Sequence, residues 1–169
     1  MPPESPSAPA CPAPTQALYV TTHVHTDGPI PGPHSLLTLA SAAHRADGTP
    51  IGTFTVNLRE LPGATLHPAS LRDWRTRAED WLSTRRSSRP PALATIAYAR
   101  WVAQLPGAAV FVADPEAPDH LFVFWYLQRF AGEWPFARSV SAATVPHRVT
   151  TAADVCVLAT CRTVLAHTG

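Results

Sequence analysis

Two histidines near the end of a strand-like run are the residues whose types and spacing most directly suggest chemistry. The run Ala-Leu-Tyr-Val-Thr-Thr-His-Val-His-Thr places His23 and His25 two residues apart, just before a turn rich in glycine and proline. Side chains at i and i+2 of a strand point to the same face, so the two imidazoles are predicted to lie side by side. Zinc and manganese accept imidazole more readily than magnesium does. The pair is therefore a candidate transition-metal site.

Three strand-like runs predict the antiparallel meander that would hold this pair. They cover about residues 17–25, 35–46 and 51–58, and no helical pattern separates them. Between the second and third runs, Ala46-Asp47-Gly48-Thr49 is typical of a hairpin turn. Strands that follow one another without a crossover pair antiparallel, because parallel strands need a longer connection.

Helical periodicity takes over after residue 67. Pro68 is a typical first helical residue, and a second helix is predicted to start near Pro90-Pro91 and to end at Pro106-Gly107. The predicted buried stripes are Leu71, Trp74, Ala78, Trp81 and Leu82 in the first helix, and Leu93, Ala97, Trp101 and Leu105 in the second. Residues 108–113 form a short apolar run, which is typical of a strand buried on both faces, and we expect this strand to add in parallel to the first one.

The remaining elements complete an α/β pattern. Residues 119–130 are apolar all round and predict a central helix that ends at Gly132, and residues 151–166 predict a last helix. The predicted order is β-β-β-α-α-β-α-(irregular)-α. This order predicts a mixed sheet flanked by helices.

Composition bounds the class of protein. The 169-residue chain fits one domain at 17–169, preceded by a Pro/Ala-rich tail at 1–16 that we expect to be disordered. All 13 cationic side chains are arginine, and the net charge of +1 gives no general attraction to nucleic acid or membrane. Three cysteines are too few and badly placed for a disulfide framework, and no run reaches the ~18 apolar residues of a membrane span. Without a signal-peptide pattern, we expect a cytoplasmic protein.

Four segments together resemble one nuclease family. They are Thr26-Asp-Gly-Pro-Ile-Pro-Gly32, Gly52-Thr-Phe-Thr-Val-Asn57-Leu, Leu61-Pro-Gly-Ala-Thr65 and Leu121-Phe-Val-Phe-Trp-Tyr-Leu-Gln-Arg-Phe-Ala-Gly132. In combination they resemble the DEDDh 3′→5′ exonucleases, in the group of RNase T and the DNA polymerase proofreading subunits. The resemblance implies an RNase H-like fold for the mixed sheet. It also implies binding of a single-stranded nucleic-acid 3′ end beside Thr26, Asp27 and Gly28, and a homodimer.

The same resemblance implies a set of metal ligands that this chain only partly keeps. The family holds two divalent ions with four acidic residues, of which the first two form an Asp-x-Glu pair on the first strand. His23 and His25 stand in place of that pair, whereas Asp119 matches the third acid and Asp154 the fourth. His147 is the candidate for the family's general base, although it lies seven residues before Asp154 instead of five. If the chain is active, the resemblance therefore implies manganese or zinc at these residues instead of magnesium.

Simpler explanations exist for each of these residues. The two histidines could fill space left by lost ligands, and Asp119 could stabilise a helix N-terminus by its charge. Thr151 and Asp154 are spaced like a capping box, and His147 could be an ordinary loop residue. The five tryptophans fit core packing better than base stacking, and the arginine-rich residues 72–89 fit a solvated helix face, with phosphate contact by Arg85-Arg86-Ser-Ser-Arg89 as the alternative.

Three functions remain open from the sequence. The first is an exonuclease-like protein that is impaired or inactive with magnesium and keeps affinity for a nucleic-acid 3′ end. The second is an active phosphodiesterase that uses manganese or zinc through His23, His25 and Asp119. The third is a protein-interaction module without nucleic-acid affinity. Whether the chain is an enzyme is left undecided by its sequence.

Overall fold

The structure of the protein, a computed structural model, describes residues 16–146. The tail at 1–15, the predicted last helix, His147 and Asp154 lie outside the described residues. Within residues 16–146, no helix combines the length and apolarity needed to cross a bilayer.

A five-stranded mixed sheet, in the order β3-β2-β1-β4-β5, organises the described residues. The strands are β1 (Ala17–Thr26), β2 (Leu36–Arg45), β3 (Pro50–Asn57), β4 (Ala108–Val112) and β5 (Arg138–Val140). Strand β2 pairs antiparallel with both β1 and β3, whereas β4 pairs parallel with β1 and with β5. The predicted meander and the parallel addition of residues 108–113 to the first strand are confirmed. Strand β5 was missed, since three residues are too few to show a period.

Four α-helices connect or cover the strands. They are α1 (Pro68–Thr76), α2 (Ala78–Arg86), α3 (Pro91–Ala103) and α4 (Pro118–Tyr126), and a π-helical turn continues α4 over Leu127–Ala131. The π-helical turn ends at Gly132, which has the left-handed conformation that glycine adopts without strain. Tyr98 of α3 and Tyr126 of α4 belong to the core cluster, together with Val20 of β1 and Phe111 of β4.

Two predicted helical stripes were wrong in detail. The stripe from Leu71 to Leu82 assumed one helix, but the chain breaks at Arg77, and Leu82 is 53% exposed. In α3 the buried residues are Ala94, Thr95, Tyr98, Ala99 and Val102, while the predicted Leu93 is 63% exposed. Helix α3 is apolar on most sides, so the sequence period alone does not select the face that meets the sheet.

The central helix is less uniformly buried than its composition predicts. Leu121 and Phe124 are exposed, at 41% and 45%, while Phe122, Val123 and Tyr126 are buried. Only one side of the helix therefore packs against the sheet and α3.

Candidate functional site

The paired histidines lie near the end of β1, as their spacing predicts. The rings of His23 and His25 are nearly perpendicular, with 5.1 Å between their centroids. Alternation along the strand places both rings on the face opposite Val20 and Val24, which belong to the core cluster. Both side chains are half-buried, so the pair forms a surface that solvent and a ligand can reach.

Beside this pair, β1 extends past the end of its parallel neighbour. The pairing between β1 and β4 runs from Ala17 opposite Ala108 to Thr21 opposite Val112. Further along β1, the backbone N–H of Val24 donates a hydrogen bond of 2.8 Å to Asp119 Oδ1. The carboxylate supplies the acceptor that a neighbouring strand would otherwise provide, because a buried N–H without a partner is costly.

Asp119 also faces the first histidine. It lies in the first turn of α4, where a negative charge is favoured, but α4 has no side-chain cap. Its Oδ1 is 3.8 Å from Nδ1 of His23. Burial raises the pKa of the Asp119 carboxyl above its usual value, although the hydrogen bond from Val24 and the nearby His23 act in the opposite direction. The structure therefore brings together two of the sequence-predicted residues, at a carboxyl that is harder to ionise than an exposed one.

On its other side, His25 packs against helix α1. Its ring meets the indole of Trp74 edge-on, with 5.8 Å between centroids, and Trp74 is only 5% exposed. The pKa of His25 is lowered to about 4, mainly by burial and further by the nearby His23 and Arg77, while Asp80 acts in the opposite direction. His25 is therefore neutral at neutral pH.

The side chains at this site do not match the metals that the resemblance implies. Among residues 16–146, no three His, Cys, Asp or Glu side chains lie close enough together to hold a metal ion. Two magnesium ions need a shell of carboxylate oxygens, and at this site the described residues offer the Asp119 carboxylate beside two imidazoles. The residues present do not fit a magnesium pair. His147 and Asp154 lie outside the described part of the chain, so their roles stay predictions.

Hydrogen bonds between its own residues and with Ser35 fix the shape of the turn after β1. Thr26 Oγ1 donates a hydrogen bond of 2.9 Å to the carbonyl of Gly28, and the buried Asp27 carboxylate accepts the backbone N–H of Ser35. Burial raises the pKa of Asp27, while the hydrogen bonds from Ser35 lower it. A Cβ on Gly28 would lie 2.2 Å from the ring of His34, so a larger residue there would force the ring to move. These residues shape the turn, and substrate binding by Thr26, Asp27 and Gly28 stays a prediction.

Three residues that the sequence did not single out for the site lie beside His25. Trp74 contacts its ring, and Arg77 and Asp80 act on its charge. All three lie about fifty residues along the chain from His25, on helices whose local pattern shows only burial and alternating charge. The sequence signal that could have found them is the clustering of tryptophan with arginine in residues 72–89.

No family model matches the chain, and no curated protein matches it. Exonuclease I is similar in structure, with a TM-score of 0.56 and 12% identity over 73% of this chain and 28% of exonuclease I. Escherichia coli exonuclease I in complex with a 5cy-dA13 oligonucleotide aligns with a TM-score of 0.54 and 10% identity, over 73% and 28% of the two chains. The moderately thermophilic exonuclease I from Methylocaldum szegediense gives 0.53 and 12%, over 73% and 27%.

These likenesses establish the fold. The five-stranded mixed sheet with its helices is an α/β fold of the RNase H-like type found in exonuclease I, as the resemblance implied. The chain is therefore exonuclease-like in architecture, and it spans about 28% of the length of that neighbour. Because a fold can carry many functions, the activity has to be argued from the residues of the site.

Proposed function

We propose that this chain is a DEDDh-type exonuclease-like protein that binds the 3′ end of a single-stranded nucleic acid and does not cleave it with magnesium. The observation that carries the proposal is the pairing of His23 with Asp119. The strand position that would hold two carboxylates carries two histidines instead, and the remaining carboxylate is engaged by the backbone of β1.

Charge is the reason for expecting no magnesium-dependent cleavage. Two magnesium ions bring a charge of +4 that carboxylates must balance, and His25 contributes no negative charge in either protonation state. The Asp119 carboxyl is harder to ionise than usual and already accepts the Val24 N–H, which leaves fewer lone pairs for a metal. Neither metal of a two-metal mechanism would have its shell from the described residues.

The His23–Asp119 pair offers hydrogen-bonding groups that could bind the 3′ end of a nucleic acid. A terminal 3′-hydroxyl can donate a hydrogen bond to the Asp119 carboxylate, and an imidazole N–H of His23 can donate to a phosphate oxygen. The braced turn at residues 26–28 would sit beside that end. A neighbour with the same fold, exonuclease I, is described in complex with an oligonucleotide, which supports this class of ligand.

A cleavage assay tests the catalytic half of the proposal. We expect the wild-type chain to leave a labelled single strand intact in magnesium. The double variant His23→Asp, His25→Glu should gain weak cleavage, since it restores the two strand carboxylates. Its control is the same double variant carrying Asp119→Asn, which removes the carboxylate charge, keeps an acceptor for the Val24 N–H and should be inactive. Robust wild-type cleavage in magnesium that disappears with Asp119→Ala would contradict the proposal, and cleavage only in manganese or zinc would favour the phosphodiesterase alternative.

A binding assay tests the other half. Fluorescence anisotropy should show tighter binding of a short single strand with a free 3′-hydroxyl than of the same strand with a 3′-phosphate, because the phosphate removes the donor for Asp119 and adds charge beside it. Equal binding of both strands would place the contact away from the 3′ end. No binding of either strand, even at low salt, would instead favour a protein-interaction module.

A further inference from the structure

Arg77 lies at the junction of α1 and α2, directly beside the candidate site. Its backbone (φ −127°, ψ 45°) ends α1 and begins α2. Its guanidinium carbon lies 4.8 Å from the ring centroid of Trp74, over the indole that His25 contacts edge-on. A single buried indole therefore supports both the arginine and the second histidine.

The donors of Arg77 are not consumed by an ion pair. The side chain is exposed, and no carboxylate pairs with it among residues 16–146. Stacking on an aromatic face restrains a guanidinium but leaves its in-plane N–H groups available. The guanidinium of Arg77 is therefore held in one orientation at the edge of the site, with its N–H donors available.

Arg85 shows the contrast on the same pair of helices. It too lies over a tryptophan, 5.1 Å from the Trp81 centroid. Its Nη1 pairs with Glu60 at 3.0 Å, and its Nη2 donates to the carbonyl of Leu37 at 3.4 Å. Arg85 therefore serves the fold, whereas Arg77 makes no such contact.

Charges at the helix junction act at the candidate site. The positive charge of Arg77 lowers the pKa of His25, and the negative charge of Asp80 raises it. An anionic ligand at this edge would be attracted by Arg77 and repelled by Asp80. Removing the charge of Arg77 and removing the charge of Asp80 should therefore change the affinity for an anionic ligand in opposite directions.

We propose that Arg77 binds a backbone phosphate of the single strand whose 3′ end lies at the His23–Asp119 pair. This inference rests on the proposed function, and it adds the residue that holds the chain of nucleotides next to its end. A planar guanidinium matches two phosphate oxygens at once, and a restrained one loses less entropy on binding. The contact is to the backbone, so it should serve DNA and RNA of any sequence alike.

The test uses the full chain and fluorescence anisotropy with short single-stranded DNA and RNA over a series of salt concentrations. Arg77→Gln should weaken binding about tenfold at moderate salt and reduce the slope of log K against log salt by about 0.7, the value for one phosphate contact on a single strand. Arg77→Lys should lie between wild type and Arg77→Gln. Asp80→Asn should tighten binding.

Arg72→Gln is the matched control, because it removes the same charge from an exposed arginine of α1. Arg72 precedes Trp74 by two residues and points about 200° away from it on the helix. Equal loss in the Arg72 and Arg77 variants would overturn the inference by showing a general charge effect. Unchanged binding and salt slope in Arg77→Gln would also overturn it, while 3′-end preference in the wild type would leave the proposed function standing. A wild-type chain that binds no strand would overturn both.

Discussion

The two halves of β1 differ in the groups that form hydrogen bonds with the strand. In the first half, from Leu18 to Thr21, the strand is paired on both sides, by β2 and by β4. At the start of the second half, Thr22 is hydrogen-bonded inside the core, to Ser41 at 2.8 Å and to Tyr98 at 3.3 Å. Beyond it the parallel neighbour has ended, and the side chain of Asp119 takes over as acceptor for the strand.

This difference explains why a functional surface can form at one end of a buried strand. In the doubly paired half, Leu18 and Val20 are fully buried and serve packing. Where the neighbour stops, a backbone N–H needs a polar partner, and the partner brings a carboxylate to the surface beside His23. The three predictions that follow test this contrast, in order of expected size.

The largest effect is expected for Asp119→Ala. The change leaves the buried Val24 N–H without its acceptor and should lower the free energy of unfolding by about 3 kcal/mol. Asp119→Asn, which keeps an amide oxygen as acceptor, should cost about 1 kcal/mol. Urea unfolding of both variants and the wild type gives the comparison. If the alanine and asparagine variants were equally stable, the carboxylate would not be completing the strand.

An intermediate effect is expected for His25→Gln, and it depends on pH. Burial lowers the pKa of His25 in the folded chain from 6.5 to about 4, so the unfolded chain binds more protons between these values. The stability that comes from keeping His25 neutral is fully present above pH 6.5 and is lost as the pH falls towards 4. From pH 7 to pH 5 the wild type should therefore lose about 2 kcal/mol more than the variant.

Thermal or urea unfolding of the wild type and His25→Gln across this pH range provides the measurement. The difference between the two profiles isolates His25 from other groups whose pKa values shift on folding, such as Asp119, where burial raises the pKa. Parallel profiles would show that His25 is not desolvated by Trp74.

The smallest effect is expected for Tyr98→Phe in the interior half. The hydroxyl lies within hydrogen-bond distance of Ser41, at 3.0 Å, and of Thr22, at 3.3 Å, and both can also bond each other. Its loss should cost about 1 kcal/mol. Burial raises the pKa of Tyr98 to about 12, so this cost should be the same at pH 5 and pH 7. Tyr19→Phe, on the opposite face of β1, is the matched control and should be near neutral.

Much of the sheet could be predicted because its pattern is local. The three consecutive runs around Ala46-Asp47-Gly48-Thr49 predicted the antiparallel meander, and the apolar run at 108–113 predicted the added parallel strand. Helix faces were harder. The exposure of Leu93 depends on where the sheet lies, since α3 is apolar on most sides, and the break at Arg77 has no signal in the helical period.

The sequence by itself determined the order of β1 to β4 with the helical segments between and after them, and the shared face of His23 and His25. These follow from periods of two and 3.6 residues, which act over a few neighbours in the chain. Only the tertiary structure decided that Asp119, 95 residues after Val24, completes β1, that Trp74 contacts His25, and that Arg77 lies over Trp74. Contacts of this kind depend on which buried backbone groups lack a partner once the sheet has formed, and no local period carries that information.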